Sequence, residues 1–282
     1  MKKRFITVAI SLSFLIASKS YSQNAETEGL WKVSGTVGIN LTQTSFTNWS
    51  QGGENSIAYS VFGNFGLNYS KEAWNFTNSL KLTYGQTKLG KAEIHTTDNE
   101  FYLEDVLTYN VGWKLEPYVS NIAKTVLSAG YDYSQIPSVQ NSAFFDPGYL
   151  SQSMGFSYEK GETFKTRFGA AVQETFTSKF TKYADDPETS EVENTKVEGG
   201  IESVTEAKFM IVENVQYQGY LRLFGRFKEL GVWDVRWDNT ITMKVNSFLN
   251  VNLNVLTVYK KYEMPKTQIK ESFMLGFSYT LF

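Results

Sequence analysis

Val232-Trp233-Asp234-Val235-Arg236-Trp237-Asp238-Asn239-Thr240-Ile241-Thr242-Met243-Lys244 sets Trp233, Val235, Trp237, Ile241 and Met243 on odd positions against Asp234, Arg236, Asp238, Thr240, Thr242 and Lys244 on even ones. Val245 continues the odd set, and after the turn dipeptide Asn246-Ser247 the alternation resumes: Leu249, Val251, Leu253, Val255 and Tyr259 stand against Asn250, Asn252 and Asn254. Period-two alternation is the signature of a strand with one apolar and one polar face. Two such runs joined by a turn make an antiparallel hairpin. A soluble sheet hides its apolar face, whereas a transmembrane barrel turns that face to lipid and keeps the polar one inside. The fold therefore depends on which face of this hairpin is the inner one.

The same pattern recurs upstream. Trp31 to Thr42, Ile57 to Tyr69, Trp74 to Tyr84 and Phe101 to Trp113 all alternate, with Asp105 out of place on the apolar side. Pro117 to Ala129 has no clean period and reads as a strand by position alone. Leu150 to Tyr158 and Phe164 to Phe176 alternate, a weak segment covers Lys196 to Thr205, and Phe209 to Arg226 precedes the opening hairpin. A last run carries Ile269, Phe273, Leu275, Phe277, Tyr279 and Leu281 to Phe282. The sum is about twelve strands, many near the length of roughly ten residues that crosses a membrane on the slant.

The links alternate in length as well. Those near 43–55, 87–97, 131–146 and 177–195 are long, and those near 71, 115, 160 and 206 are short. Outer-membrane barrels carry long outer loops and short periplasmic turns. An even strand count then leaves both ends of the barrel on the periplasmic side.

The ends and the composition fit that reading. Met1-Lys2-Lys3-Arg4, an apolar run from Phe5 to about Ala17, and small residues at Ser20 and Ser22 predict a signal peptide over 1–22, with the barrel domain over 23–282. Removing Lys2, Lys3, Arg4 and Lys19 takes 27 basic residues to 23 against 29 acidic ones, a net charge of −6. An acidic balance without a basic tract argues against a nucleic-acid partner. The chain has no cysteine, hence no disulfide framework and no lipidated cysteine. Beyond Gln23 no apolar run approaches the roughly 18 residues of a membrane helix. Aromatic residues make up 16% of the chain with only five prolines, which suits long strands.

A secreted β-sandwich could bury the same apolar set. Three features favour the barrel. The polar faces carry Ser, Thr, Asn, Gln and Gly in preference to the Lys and Glu of a solvated sheet. Trp31, Trp74, Trp113 and Trp233 fall near strand ends, where an aromatic girdle meets the membrane interface. The chain closes on a strand ending in Phe282, although Phe282 is out of phase with Leu275, Phe277 and Tyr279.

Asn48-Trp49-Ser50-Gln51-Gly52-Gly53-Glu54-Asn55, Trp74, Tyr84-Gly85 and Phe144-Phe145-Asp146-Pro147-Gly148-Tyr149-Leu150 resemble an uncharacterised outer-membrane barrel family of Bacteroidota. Glu213-Asn214-Val215, Leu221 to Phe224, Val235 to Trp237, Met243-Lys244-Val245-Asn246 and the stretch from Lys270-Glu271 onward extend the likeness over nearly the whole mature chain. The resemblance implies a barrel and no known reaction.

Chemistry-bearing residues are sparse. His95 is the only histidine and is expected in a polar outer loop, Glu93 to Asp98. A lipid-acting Ser-His-acid hydrolase would need it beside a serine nucleophile, and no motif supplies one. A solvated loop histidine is the simpler reading, and no enzymatic activity or cofactor is expected. Asp185, Asp186 and Glu188 could hold calcium weakly, but read more simply as a solvated acidic loop. The loop element Trp49, Gly52, Gly53, Glu54 and Asn55 is either an inward-folding constriction or a tight turn with an interface anchor.

The inward polar faces are the better clue. Arg167, Arg222, Arg226, Asp234, Arg236, Asp238 and Lys244 are predicted to line the lumen. With Lys81, Lys165, Lys270 and Glu104 added, basic groups outnumber acidic ones there. Basic rings favour anions in a pore. The competing arrangement is a salt-bridge network, Arg236 with Asp234, Asp238 or another strand, that plugs the barrel. About twelve strands sits between barrels filled by side chains and barrels with an aqueous channel. The expectation is an all-β, antiparallel up-and-down transmembrane barrel in the outer membrane of a Gram-negative cell. Its partners would be the lipid bilayer, the outer-membrane assembly machinery during biogenesis, and a small polar or anionic solute. The role expected first is a narrow pore or transporter. The alternative is a structural or binding barrel whose outer loops engage ligands or partners.

Overall fold

The computed structural model describes residues 31–48, 53–186 and 189–282. The predicted signal segment, Trp49, Gly52 and Glu188 lie outside them. Twelve strands close into one antiparallel barrel: β1 (Trp31–Thr44), β2 (Ser56–Lys71), β3 (Trp74–Leu89), β4 (His95–Tyr109), β5 (Glu116–Thr125), β8 (Gly148–Lys160), β9 (Phe164–Phe176), β10 (Thr195–Val212), β11 (Val215–Arg226), β12 (Glu229–Lys244), β13 (Leu249–Lys260) and β14 (Met264–Thr280). A two-stranded hairpin, β6 (Gly130–Asp132) and β7 (Val139–Ser142), sits in the long link after β5. Every barrel strand pairs with its chain neighbours, and β1 meets β14 to close the ring. That seam holds Thr36↔Thr280 through Leu41↔Leu275, and the terminal residues extend it: Leu281 donates its N–H to Gly35 O (2.8 Å), and Gly35 donates to Phe282 O (3.2 Å). Phe282, out of phase as a side chain, thus contributes its carbonyl to closure.

Alternation along the strands translates into opposite burial. On β8 and β9, Met154, Phe156 and Phe168 point outward and are 64%, 55% and 57% exposed, while Ser153, Ser157 and Arg167 point inward at 6–7%. On β12, Trp237 is 48% exposed and Asp234 is 4%. This is a soluble protein turned inside out. Rings cluster at the end bearing the short turns: Trp31 against Tyr69 (centroids 4.5 Å), Trp74 against Tyr109 (4.6 Å) and Phe209 against Tyr217 (5.1 Å). Trp113 lies in the turn at that same end, whereas Trp233 lies toward the other, packed on Gly225. Asp105, the outlier on the apolar side, is satisfied by its registered neighbour Asn78, whose amide donates to it at 2.6 Å.

Two expectations are corrected. The link predicted near 206 is strand: β10 continues to Val212, and the turn falls at Glu213-Asn214, with Asn214 in the left-handed region (φ 65°). Asparagine tolerates that conformation, which makes the short hairpin possible. The opening hairpin turns over four residues, Val245 to Phe248, where the Asn246 side chain accepts the N–H groups of Phe248 and Leu249.

Candidate functional site

For twelve strands about 4.8 Å apart and tilted about 40°, the backbone cylinder is roughly 24 Å across. A round ring of that width is wider than an extended Arg–Glu or Tyr–Tyr pair spans, so the contacts found between opposite walls require the ring to be flattened across β4 and β11–β12. Arg236 on β12 donates from Nη2 to Glu100 on β4 at 2.8 and 3.1 Å; these strands stand six places apart in the ring of twelve, diametrically opposed. The Tyr102 and Tyr220 hydroxyls, on β4 and β11, share a hydrogen bond of 2.7 Å, and Lys81 on β3 lies over both rings at 5.8 and 5.5 Å. Tyr149 on β8 donates to Glu263, in the turn joining β13 and β14, at 3.1 Å.

Around these cross-links sits a ladder of ion pairs. Arg226 binds Asp234 through two N–H groups (2.9 and 2.8 Å) and Glu198 at 2.6 Å. Arg222 binds Glu202 at 2.7 Å and also reaches Ser151 (2.9 Å) and Gln173 (3.2 Å). Glu202 is 1% exposed and accepts from Ser151 and Ser153 as well. Arg167 pairs with Glu104 and approaches Glu206 at 3.9 Å; its Nε is the one buried side-chain polar atom without a partner among the described residues. Lys270 pairs with Asp98, on the far side of the seam. Phe224, fully buried, lies beneath the Arg222 and Arg226 guanidinium groups at 5.8 and 5.7 Å, and Tyr102, Ile122, Val204 and Tyr220 form a small apolar cluster. The wall near the seam is lined by small polar groups. Asn252 donates to Asn40 at 3.2 Å and Asn250 to Ser278 at 2.9 Å, over Gly276, where any Cβ would meet both Asn250 and Asn252.

The predicted lumen residues separate into two groups. Arg167, Arg222, Arg226, Asp234 and Arg236 all enter the network. Asp238 stands at its edge, 3.8 Å from Arg236 and hydrogen-bonded by Asn254 at 2.7 Å. Lys244 is exposed at the far end of β12 and takes no part in it. The predicted basic surplus is corrected: Glu100, Glu198, Glu202, Glu206 and Asp98 supply the missing carboxylates. Glu198, Glu202 and Glu206 share one face of β10, the strand whose outward Ser203, Thr205 and Ala207 blurred its alternation. Their spacing at alternate even positions, with Lys196 and Val204, was the available signal. Among the described residues the lumen is therefore not dominantly cationic, and a network of ion pairs crossing it is the arrangement found.

The loop element is placed only in part. Gly53 (φ 117°), Glu54 and Asn55 are exposed at the outer rim. Asn55 accepts the Phe46 N–H at 2.7 Å through its side chain and the Gly90 N–H at 2.7 Å through its backbone, tying two outer loops together. His95, expected in a loop, begins strand β4; its ring stacks on Tyr133 of the β6–β7 hairpin (centroids 3.9 Å), and the Tyr133 hydroxyl accepts the Thr96 N–H. Asp146, ahead of β8, receives the N–H groups of Ser178 (2.9 Å), Lys179 (2.7 Å) and Phe180 (3.4 Å), latching two further loops. Burial raises the Asp146 pKa, but these three donors and the Lys179 charge outweigh it and hold the carboxyl below the ordinary aspartate value. In the acidic loop, Asp185 accepts from the Glu193 N–H and Glu193 from Thr189 and the Asp186 N–H, so these carboxylates shape the loop itself.

A family model described as a protein of unknown function (DUF3078) matches residues 41–131. The matched range takes in the Trp49–Asn55 element and Trp74, while the quoted segments from Phe144 onward lie beyond it. No functionally curated protein matches the sequence. Among solved structures, the translocator domain of autotransporter NalP from Neisseria meningitidis is 10% identical over 92% of this chain and 90% of that one, with a TM-score of 0.36. The COG4313 outer membrane channel from Pseudomonas putida F1 is 10% identical over 88% and 94%, with a TM-score of 0.38. The Ralstonia pickettii toluene transporter TbuX is 9% identical over 88% of each chain, with a TM-score of 0.31. Likenesses at this level carry no argument about solute or role.

Proposed function

We propose that the chain is an outer-membrane barrel of a Gram-negative bacterium, in keeping with the Bacteroidota resemblance, and that it serves as a gated, low-conductance path for small polar solutes. The membrane reading is supported by the outward apolar surface, with Met154, Phe156, Phe168 and Phe273 each more than half exposed, which water would penalise and lipid would not. The gated-path reading is carried by one observation: the Arg236–Glu100 bridge crosses the lumen between opposite walls, beside a small cavity of about 60 Å³ bordered by cationic and apolar side chains. A barrel needing only to stay closed could be filled by apolar side chains, since buried ion pairs are often no more stabilising than apolar residues of similar volume. Ion pairs can open and re-form with solute or field, and apolar packing cannot do so selectively. We assign no catalytic role; the His95 ring is engaged with Tyr133 as a loop anchor.

Planar-bilayer recording tests this. The wild-type protein should show rare, small openings, and Arg236→Ala or Glu100→Ala should raise the open fraction and the unitary conductance several-fold. Silence in all three would refute the path and leave the alternative, a structural barrel whose latched outer loops present a binding surface.

A further inference from the structure

The cavity beneath the outer mouth has an unusual wall. Lys124, Arg222, Arg236 and Lys260, from four different strands, all line it together with Tyr149 and Ser151, and among the described residues no Asp or Glu does. Their carboxylate partners lie behind them: Glu202 behind Arg222, Glu100 behind Arg236 and Lys124, and Glu263 behind Lys260. With Asp238 near Arg236, the four lining cations have four carboxylate neighbours, so the local charge balances while the groups that border the space are cationic. Donor capacity is also left over. The contacts of Arg236 with Glu100 and Asp238 all use Nη2, and Lys124 stands 3.8 Å from Glu100, an ion pair beyond hydrogen-bond length. An empty space of a few water volumes bordered by unspent cationic donors fits a compact, multiply accepting anion, because guanidinium forks match oxyanion geometry and low local polarity strengthens the attraction.

We propose that this cavity binds one small oxyanion of phosphate or sulfate size, held by Lys124, Arg222 and Arg236, with Lys260 completing the shell. The inference rests on the reading of the lumen as a solute path and names the class of solute. It is compatible with an overall charge-balanced lumen, because the cations border the cavity and their carboxylates do not.

The test is equilibrium binding of radiolabelled inorganic phosphate, with sulfate as competitor, to the full chain in detergent at low chloride. The expected result is one saturable site per chain, weakened about tenfold or more in Lys124→Gln, restored in Lys124→Arg and unchanged in Lys208→Gln on an exposed strand end. A heat-dependent gel shift verifies that each variant is a closed barrel. No saturable phosphate or sulfate binding by the wild type, or equal loss in Lys208→Gln, overturns the site. If Glu100→Ala conducts while phosphate fails to bind, the oxyanion inference alone falls. If phosphate binds and no variant conducts, the site stands and the path reading falls.

Discussion

Replacing Glu202 with alanine should be among the most damaging single changes available to this barrel. Its carboxylate is 1% exposed and accepts from Arg222 at 2.7 Å, Ser151 at 3.1 Å and Ser153 at 2.9 Å. Removing one member of a buried ion pair costs about 3–5 kcal/mol, because the other charge is stranded away from water. Arg222 keeps Ser151 and Gln173 and borders the small cavity, so the lower figure applies, about 3 kcal/mol. Urea unfolding of the barrel in lipid vesicles, followed by tryptophan fluorescence, should then show a midpoint lowered by about 1 M or more. Glu202→Leu combined with Arg222→Leu removes both charges and should return to within about 1 kcal/mol of wild type. The double-mutant cycle would yield a coupling of at least about 2 kcal/mol. A Glu202→Ala midpoint matching wild type, with coupling near zero, would mean the pair is solvated and the lumen open, and would refute the reasoning.

Other consequences follow from the same geometry. Met154→Arg places a charge on the outward face and should destabilise the barrel in vesicles by about 2–4 kcal/mol, read by urea titration; no effect would argue for a solvated face. Asp146→Ala should release the loop over 178–183 and speed tryptic cleavage after Lys179 or Lys182 about tenfold, read on gels, with the barrel strands intact. The pH dependence of that latch has a definite sign. A carboxyl whose folded pKa is depressed contributes above its unfolded value and loses that contribution as pH falls through the folded one. Protection of the loop should therefore persist through the range where ordinary aspartates titrate and vanish only in more acidic medium, measured with an acid-active protease.

Much of the barrel was legible because each strand states its own two faces. Trp233, Val235 and Trp237 against Asp234, Arg236 and Asp238 need no neighbour to be read. The strand number and the alternation of long and short links followed from that pattern and from turn residues. The network was not legible, because it depends on how far the ring is sheared as it closes. Nothing local to Arg236 indicates Glu100, 136 residues away on the opposite wall, and nothing near Arg226 distinguishes Asp234 from any other acid. The missed carboxylates of β10 have a different cause. Small outward residues removed the contrast on which alternation depends, so Glu198, Glu202 and Glu206 were lost, and the lumen looked cationic. Lys244 was a lumen position by parity but falls past the filled zone, since parity fixes a face and not a depth.

The central claim is that the apolar face lies in lipid around a closed lumen. The chain lacks cysteine, so single nitroxide labels can be placed without background. Collision rates with oxygen, which partitions into lipid, and with a neutral aqueous nickel complex should be measured at successive β8 positions from Ser151 to Ser157 in reconstituted vesicles. The rates should follow a period of two: high oxygen and low nickel rates at Met154 and Phe156, and low rates for both at Ser151, Ser153 and Ser157. High nickel rates at the serine positions would mean an open, water-filled lumen, and high nickel rates at Met154 and Phe156 would contradict membrane insertion altogether.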